Sequence, residues 1–208
     1  MKMAFSTLGC PDFGWRDIYS LAKDFGFDGI EVRGLGDRRF TGPAQPLSEE
    51  QWPHTKQKLE ELRLEISCLS SGCCLKFPEK AEENHKELVR YITLAGKLGT
   101  PYVRILGDIG PQPSGEVDDQ VVLAALRRLI PIAEANQVTL LVETSGVYAD
   151  TKRLGHLLNQ VASDAIGALW DIHHPYRFAG ETPEKTVQNL GAYIKYAHVK
   201  DSVVIDDV

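Results

Sequence analysis

Thr139-Leu140-Leu141-Val142-Glu143 is a short aliphatic run closed by a carboxylate. Two strings of the same design follow it: Ala168-Leu169-Trp170-Asp171, and Tyr196-Ala197-His198-Val199-Lys200. Each follows the last by the length of one strand plus one helix. Short, mostly apolar runs are expected of strands covered on both faces, as in a parallel sheet. A carboxylate at the end of such a run is costly to bury unless something pairs it. Three parallel neighbours ending this way bring two carboxylates and an imidazole to one end of the sheet, an arrangement that holds a divalent metal.

Outward from these strings the pattern repeats along the whole chain. Strand-like runs lie at 3–8, 29–33, 65–70, 102–106, 139–143, 167–171 and 196–200. Helical stripes separate them. Ile18, Leu21, Ala22 and Phe25 form the first, which stops at Gly26. Ser48-Glu49-Glu50-Gln51 reads as a capping box for a helix to about Leu62, with Pro53 near its start. Leu88, Ile92, Ala95 and Leu98 mark the third, closed by Gly99. A fourth runs from about Val117 to Asn136, where Pro131 predicts a break or kink. Asp150 caps a fifth, and Thr182-Pro183 opens a sixth.

Seven such repeats predict an all-parallel α/β fold. A doubly wound open sheet would need a phosphate-binding fingerprint after an early strand. Gly34-Leu35-Gly36 follows the second strand, but Arg39 stands at the third glycine position, so the string reads as a flexible loop. A (β/α)₈ TIM barrel fits better. Such barrels take about 250 residues, and here the pattern stops after strand seven. The expectation is one barrel domain over residues 1–208 that lacks its last βα unit: a fragment, an open barrel, or one closed by a partner.

Composition bounds the functions. The chain has 208 residues, a formal net charge of −6, 43% hydrophobic and 25% charged residues, ordinary values for a globular domain. No apolar stretch approaches the roughly 18 residues of a membrane span. An acidic surface argues against nucleic-acid partners. The start runs straight into a strand, with no signal peptide in evidence, so the expected location is the cytoplasm. Cys10, Cys68, Cys73 and Cys74 match neither a redox pair nor a zinc knuckle. Cys68 reads as a core residue, and Cys73 and Cys74 as lying in or beside the loop after its strand. Uncovered edges at strands one and seven favour association, so a homo-oligomer is among the expected states.

Each candidate site residue has a plain structural alternative. Glu143 fits a metal ligand or a salt bridge to an arginine such as Arg104. Asp171 fits a ligand, or an N-cap or turn carboxylate. His198 alone fits a satisfied core histidine. Together the three read as ligands of one divalent ion: Mn²⁺, Mg²⁺, Co²⁺ or Zn²⁺ suit two oxygens and one imidazole. His174, in the loop past Asp171, is placed to hydrogen-bond a substrate hydroxyl, and His173 to point elsewhere. Lys200 shares the face of His198 by period two, whereas Asp201 turns away. Arg104, Glu31 and Arg33 face inward, as substrate contacts or as interior ion pairs.

These residues resemble the xylose isomerase-like TIM barrels, the superfamily of sugar phosphate isomerases and epimerases that also holds the endonuclease-IV-type enzymes. The resemblance spans essentially the whole chain. It rests on Phe5-Ser6-Thr7-Leu8, Gly26-Phe27-Asp28-Gly29-Ile30-Glu31-Val32-Arg33, Val142-Glu143, Trp170-Asp171-Ile172-His173-His174-Pro175 and His198-Val199-Lys200-Asp201. It implies a metal-bound Glu143 that also serves as catalytic base, Asp171 and His198 as metal ligands, and His174 on substrate oxygens. A further glutamate of the family, from strand eight, has no counterpart here. The implied activity is metal-dependent isomerisation or epimerisation of a small sugar, sugar phosphate or polyol ketone, by proton abstraction next to a carbonyl through an enediolate; dehydration of a polyol ketone begins the same way. The alternatives are an abasic-site endonuclease, which would need more histidines than Ser70, Ser71 and Arg104 supply, and a non-catalytic barrel.

Overall fold

The alternating pattern folds into a single parallel sheet of seven strands, each adjacent pair in chain order. The structure, a computed structural model, describes residues 1–35, 38–39 and 46–200. The strands are β1 (Ala4–Ser6), β2 (Gly29–Val32), β3 (Glu65–Cys74), β4 (Tyr102–Leu106), β5 (Thr139–Glu143), β6 (Ile166–Asp171) and β7 (Ile194–His198). A two-residue antiparallel ribbon pairs Gly34–Leu35 with Arg38–Arg39. Gly36 lies outside the described residues, as does Asp201.

The helices are α1 (Trp15–Asp24), α2 (Trp52–Leu62), α3 (Ala81–Leu98), α4 (Asp119–Ala135), α5 (Thr151–Val161), α6 (His173–Ala179) and α7 (Pro183–Leu190). Their apolar stripes cover one face of the sheet. Ile30, Val32, Val103, Ile105, Leu140, Val142, Ile166 and Ala168 share one core with Ile18, Leu88, Ile92, Leu126, Leu154 and Leu158. Burying each large aliphatic side chain contributes roughly 1.5–3 kcal/mol. Strand residues one position on point the other way. That places Glu31, Arg104, Glu143 and Asp171 on the interior face, with the fully buried Leu141 and Leu169 one step beneath the last two.

The sheet curls toward closure. Tyr196 Oη on β7 lies 2.9 Å from Ser67 Oγ on β3, and His198 on β7 reaches Glu31 on β2. Among the described residues β1 and β7 are not hydrogen-bonded to each other. A trough of about 1520 Å³ runs along that side and opens onto Glu31, Arg104, Glu143, Asp171 and His198.

Several local expectations change. β3 continues to Cys74, so Cys73 and Cys74 are strand residues rather than loop residues; all four cysteines are free thiols. Burial pushes the Cys68, Cys73 and Cys74 thiols up, which keeps them protonated and inert. α2 begins only at Trp52; the Ser48 hydroxyl accepts from Gln51 N, closing a turn before the helix. α4 carries Pro131 inside it without breaking, because Leu126, Leu129, Ile130 and Ala133 are all buried on one stripe. α6 is an additional helix, where a loop was expected. β7 ends at His198, so Lys200 lies beyond the strand.

At the C-terminal ends of β3, β4 and β5 the loops meet on one buried ion pair. Lys76 Nζ lies 2.9 Å from Asp108 Oδ1, with side chains 9% and 0% exposed. Asp108 also accepts from Ile109 N, Ser114 N and Oγ, and Val147 N. Gly146 sits against it with φ of +59°; a Cβ there would lie 2.3 Å from Asp108 Oδ2.

Candidate metal centre

β5, β6 and β7 are in register, Glu143 opposite Leu169 and Asp171 opposite His198. Asp171 and His198 stand at one level and Glu143 one pleat below them, level with Leu169, and all three turn a ligand atom to the interior face. One ligand atom from each of Glu143, Asp171 and His198 lies within 4.8 Å of the others.

Each of the two carboxylates commits one oxygen to the protein. Arg104 Nε donates to Glu143 Oε2 at 2.5 Å, and Arg104 Nη2 pairs with the same oxygen. The other oxygen, Oε1, faces His174 Nδ1 at 3.8 Å and His198 Nδ1 at 3.9 Å. Asp171 Oδ1 accepts from the backbone N–H groups of His173 and His174, at 3.1 and 3.3 Å, and so holds the turn that opens α6, whose N-cap residue is Ile172. Its Oδ2 faces inward, 2.7 Å from Lys200 Nζ and 3.5 Å from His174 Nε2. The salt bridge and the turn carboxylate, the plain alternatives for these residues, are thus both present, and each leaves one oxygen turned into the site.

Hydrogen-bond logic fixes the imidazoles. His174 Nδ1 lies 3.1 Å from the Thr144 carbonyl oxygen, which only accepts, and Lys200 Nζ, which only donates as an ammonium, lies 2.6 Å from Nε2. His174 therefore carries its proton on Nδ1. His198 Nε2 lies 2.7 Å from Glu31 Oε2, so its proton sits on Nε2, and Nδ1 faces Glu143. In their neutral forms the two rings hold opposite tautomers.

Charge follows the same pairings. Burial pushes the Glu143 carboxyl up, but the Arg104 guanidinium and His198 outweigh it and hold the group below its ordinary value. Burial likewise opposes ionisation of Glu31, and its bond to His198 overcomes this and lowers it. Burial pushes His198 down, yet Glu31 raises it above the ordinary imidazole value. For His174 burial prevails, and the ring is held low and neutral.

The structure thus brings together Glu31, Arg104, Glu143, Asp171, His174, His198 and Lys200. Arg104, 4% exposed, is engaged by Glu143 and by the Ser71 carbonyl at 3.0 Å; Lys200 faces Asp171 and His174. Sequence reasoning missed Thr144. Its hydroxyl accepts from Asp171 N at 2.9 Å and lies 3.3 Å from Asp171 O, so it joins β5 to β6 beside both carboxylates. Its only signal was its place directly after Glu143. Ser6 was also missed; its hydroxyl donates to Glu31 Oε1 at 3.2 Å.

The curled parallel sheet, the inward charges at its strand ends and the helices outside define an α/β half-barrel of the TIM type. The family model described as xylose isomerase-like TIM barrel matches residues 19–207, and the chain belongs to that family. No curated protein matches it in sequence. Among solved structures it is similar to the probable 3-DHS dehydratase AsbF of petrobactin synthesis from Bacillus anthracis, at 22% identity, with 95% of this chain and 72% of that one covered and a TM-score of 0.72. It is also similar to the 3-keto-D-glucoside 4-epimerase YcjR from E. coli, at 14% identity, 97% and 79% coverage and a TM-score of 0.75. A third is a xylose isomerase-like TIM barrel protein from Mycobacterium smegmatis in complex with magnesium, at 19% identity, 96% and 74% coverage and a TM-score of 0.72. At these identities the likeness shows the fold. Among the described residues no helix is long and apolar enough to cross a membrane.

Proposed function

We propose that the protein is a metal-dependent isomerase or epimerase of a small sugar, sugar phosphate or polyol ketone. One observation carries this reading: Glu143, Asp171 and His198 turn three donor atoms to within 4.8 Å of one another on the interior face. Two hard oxygens and one imidazole nitrogen fit a divalent ion such as Mn²⁺, Mg²⁺, Co²⁺ or Zn²⁺, and the absence of thiolate among them argues against a structural zinc. When bound, such an ion supplies Lewis acidity to a carbonyl oxygen.

The protein's own groups supply the rest. Arg104 keeps Glu143 ionised at neutral pH, the form that takes a proton from the carbon next to the carbonyl. A positioned base of this kind gives roughly 10²–10⁴-fold. Neutral His174 and cationic Lys200 orient substrate oxygens, with Lys200 matching any negative charge. The four free thiols suit a reducing compartment, and we place the protein in the cytoplasm. A nuclease reading is less well supported, since β3 and β4 offer Ser70, Ser71 and Arg104 where further metal-binding imidazoles would be needed.

The test has two stages. Purified protein is equilibrated with Mn²⁺, Co²⁺ or Zn²⁺ and its metal content measured; about one ion per chain is expected, and none in Asp171→Asn. Metal-loaded protein is then mixed in D₂O with a panel of aldoses, ketoses, their phosphates and inososes. Deuterium incorporation at the carbon next to the carbonyl, lost in Glu143→Gln, supports the reading. Full exchange by Glu143→Gln removes Glu143 as the base.

A further inference from the structure

We infer that Glu31 is the positioning residue that presents His198 to a bound metal ion. The inference rests on the metal reading above and deepens it. From sequence Glu31 was open to a substrate contact or an interior ion pair; here its carboxylate meets His198 and Ser6.

The carboxylate is 2% exposed and both of its oxygens are engaged. Oε2 lies 2.7 Å from His198 Nε2, and Oε1 accepts from Ser6 Oγ at 3.2 Å. A carboxylate that stays ionised can only accept. It therefore holds the proton of a neutral imidazole on Nε2 and leaves the lone pair on Nδ1. Nδ1 is the nitrogen that faces Glu143 Oε1. The bond thus selects both the tautomer and the ring orientation that a metal ligand needs.

The topology gives this contact weight. His198 stands on β7, which among the described residues is paired through β6 alone. Its ring is 24% exposed, against 5% and 2% for Glu143 and Asp171. Glu143 is fixed by Arg104, and Asp171 by the start of α6. The corresponding restraint for His198 comes from Glu31, across the barrel interior on β2. A histidine ligand whose other ring nitrogen donates to a carboxylate is fixed in orientation and made more basic, and loss of such a partner typically weakens metal affinity 10–100-fold.

The experiment uses the full chain and needs no substrate. Free Mn²⁺ is followed by electron paramagnetic resonance during titration of wild type and Glu31→Gln, with circular dichroism as a check on folding. In parallel, the protein labelled with ¹⁵N-histidine is examined by NMR without metal, at a pH where His198 is neutral, and His198 is identified by comparison with His198→Gln. The expected results are a 10–100-fold weaker Mn²⁺ affinity in Glu31→Gln and an Nε2–H tautomer for His198 in wild type. Affinity in folded Glu31→Gln within twofold of wild type overturns the inference, as does an Nδ1–H tautomer in wild type. A pure substrate contact would leave both readouts unmoved. If Glu31→Gln does not fold, the wild-type tautomer decides. Failure of wild type to bind Mn²⁺ at all defeats the metal reading itself, and so is distinguishable from failure of Glu31 alone.

Discussion

Replacing Arg104 with Met separates the two roles that Glu143 holds. Both groups are about 5% exposed at the side chain, so Arg104→Met leaves a carboxylate buried without its cation. Breaking such a pair costs about 3–5 kcal/mol. A chain of this size loses roughly 2–4 °C of Tm per kcal/mol, giving a fall of roughly 6–20 °C. A divalent ion at Glu143, Asp171 and His198 offsets part of that loss, because it supplies positive charge where the guanidinium stood. Ligand at one hundred times Kd adds about 2.7 kcal/mol to any folded state that binds it. The assay is differential scanning calorimetry in EDTA and in excess Mn²⁺, on wild type, Arg104→Met, Glu143→Gln and the double variant. Arg104→Met is expected to be destabilised in EDTA yet to keep a Mn²⁺-induced rise at least as large as wild type. Glu143→Gln and the double variant lose the rise, while the double variant recovers stability over Arg104→Met because no unpaired charge remains. A full wild-type rise in Glu143→Gln would refute the reasoning and leave Arg104 and Glu143 as a structural pair only.

Three further outcomes concern the frame of the site. Asp108→Ala strands the Lys76 ammonium and is expected to cost about 3–5 kcal/mol by urea denaturation at pH 7. Burial opposes ionisation of Asp108, but Ser114 and Lys76 prevail and hold its carboxyl below 3.8. Its stabilisation is therefore present above pH 3.8 and lost as pH falls through the lower folded value, so the gap between wild type and Asp108→Ala narrows in strong acid. Gly146→Ala forces a left-handed alanine against Asp108 and should lower stability by about 2–4 kcal/mol, read from the same titration. Pro131→Ala restores a backbone donor inside α4 and should raise stability by about 2 kcal/mol, the helix gain of roughly 3 being reduced by the freer unfolded chain; an unchanged urea midpoint would contradict this.

What the sequence disclosed was the local period and its interruptions. Leu140, Val142 and Ala168 announce buried strands, and Glu143 and Asp171 stand out because charge ends an apolar run. β4 and β5 have the expected bounds for this reason. Contacts between elements far apart in the chain left no local trace. Glu31 and His198 are 167 residues apart, and only the curl of the sheet brings them together. Which oxygen of Glu143 turns inward depends on Arg104 from a different strand. α6 escaped notice because it starts two residues after β6 ends at Asp171, with the apolar Ile172 at its N-cap, so no separate start signal precedes His173. Cys73 and Cys74 looked like loop residues after two serines, but small side chains suit a strand buried on both faces.

The three donors do not share one mechanical footing. Among the described residues, Glu143 and Asp171 hang from strands flanked on both sides, whereas the imidazole hangs from β7, which is flanked by β6 alone and whose Ala197 lies open to solvent. Outer strands fray at lower free energy than central ones. Each brief peeling of β7 from β6 would carry one donor away and leave two in place. On the proposed metal reading, ion residence would then be timed by the breathing of the β6–β7 ladder, and amide exchange along 194–198 would report it.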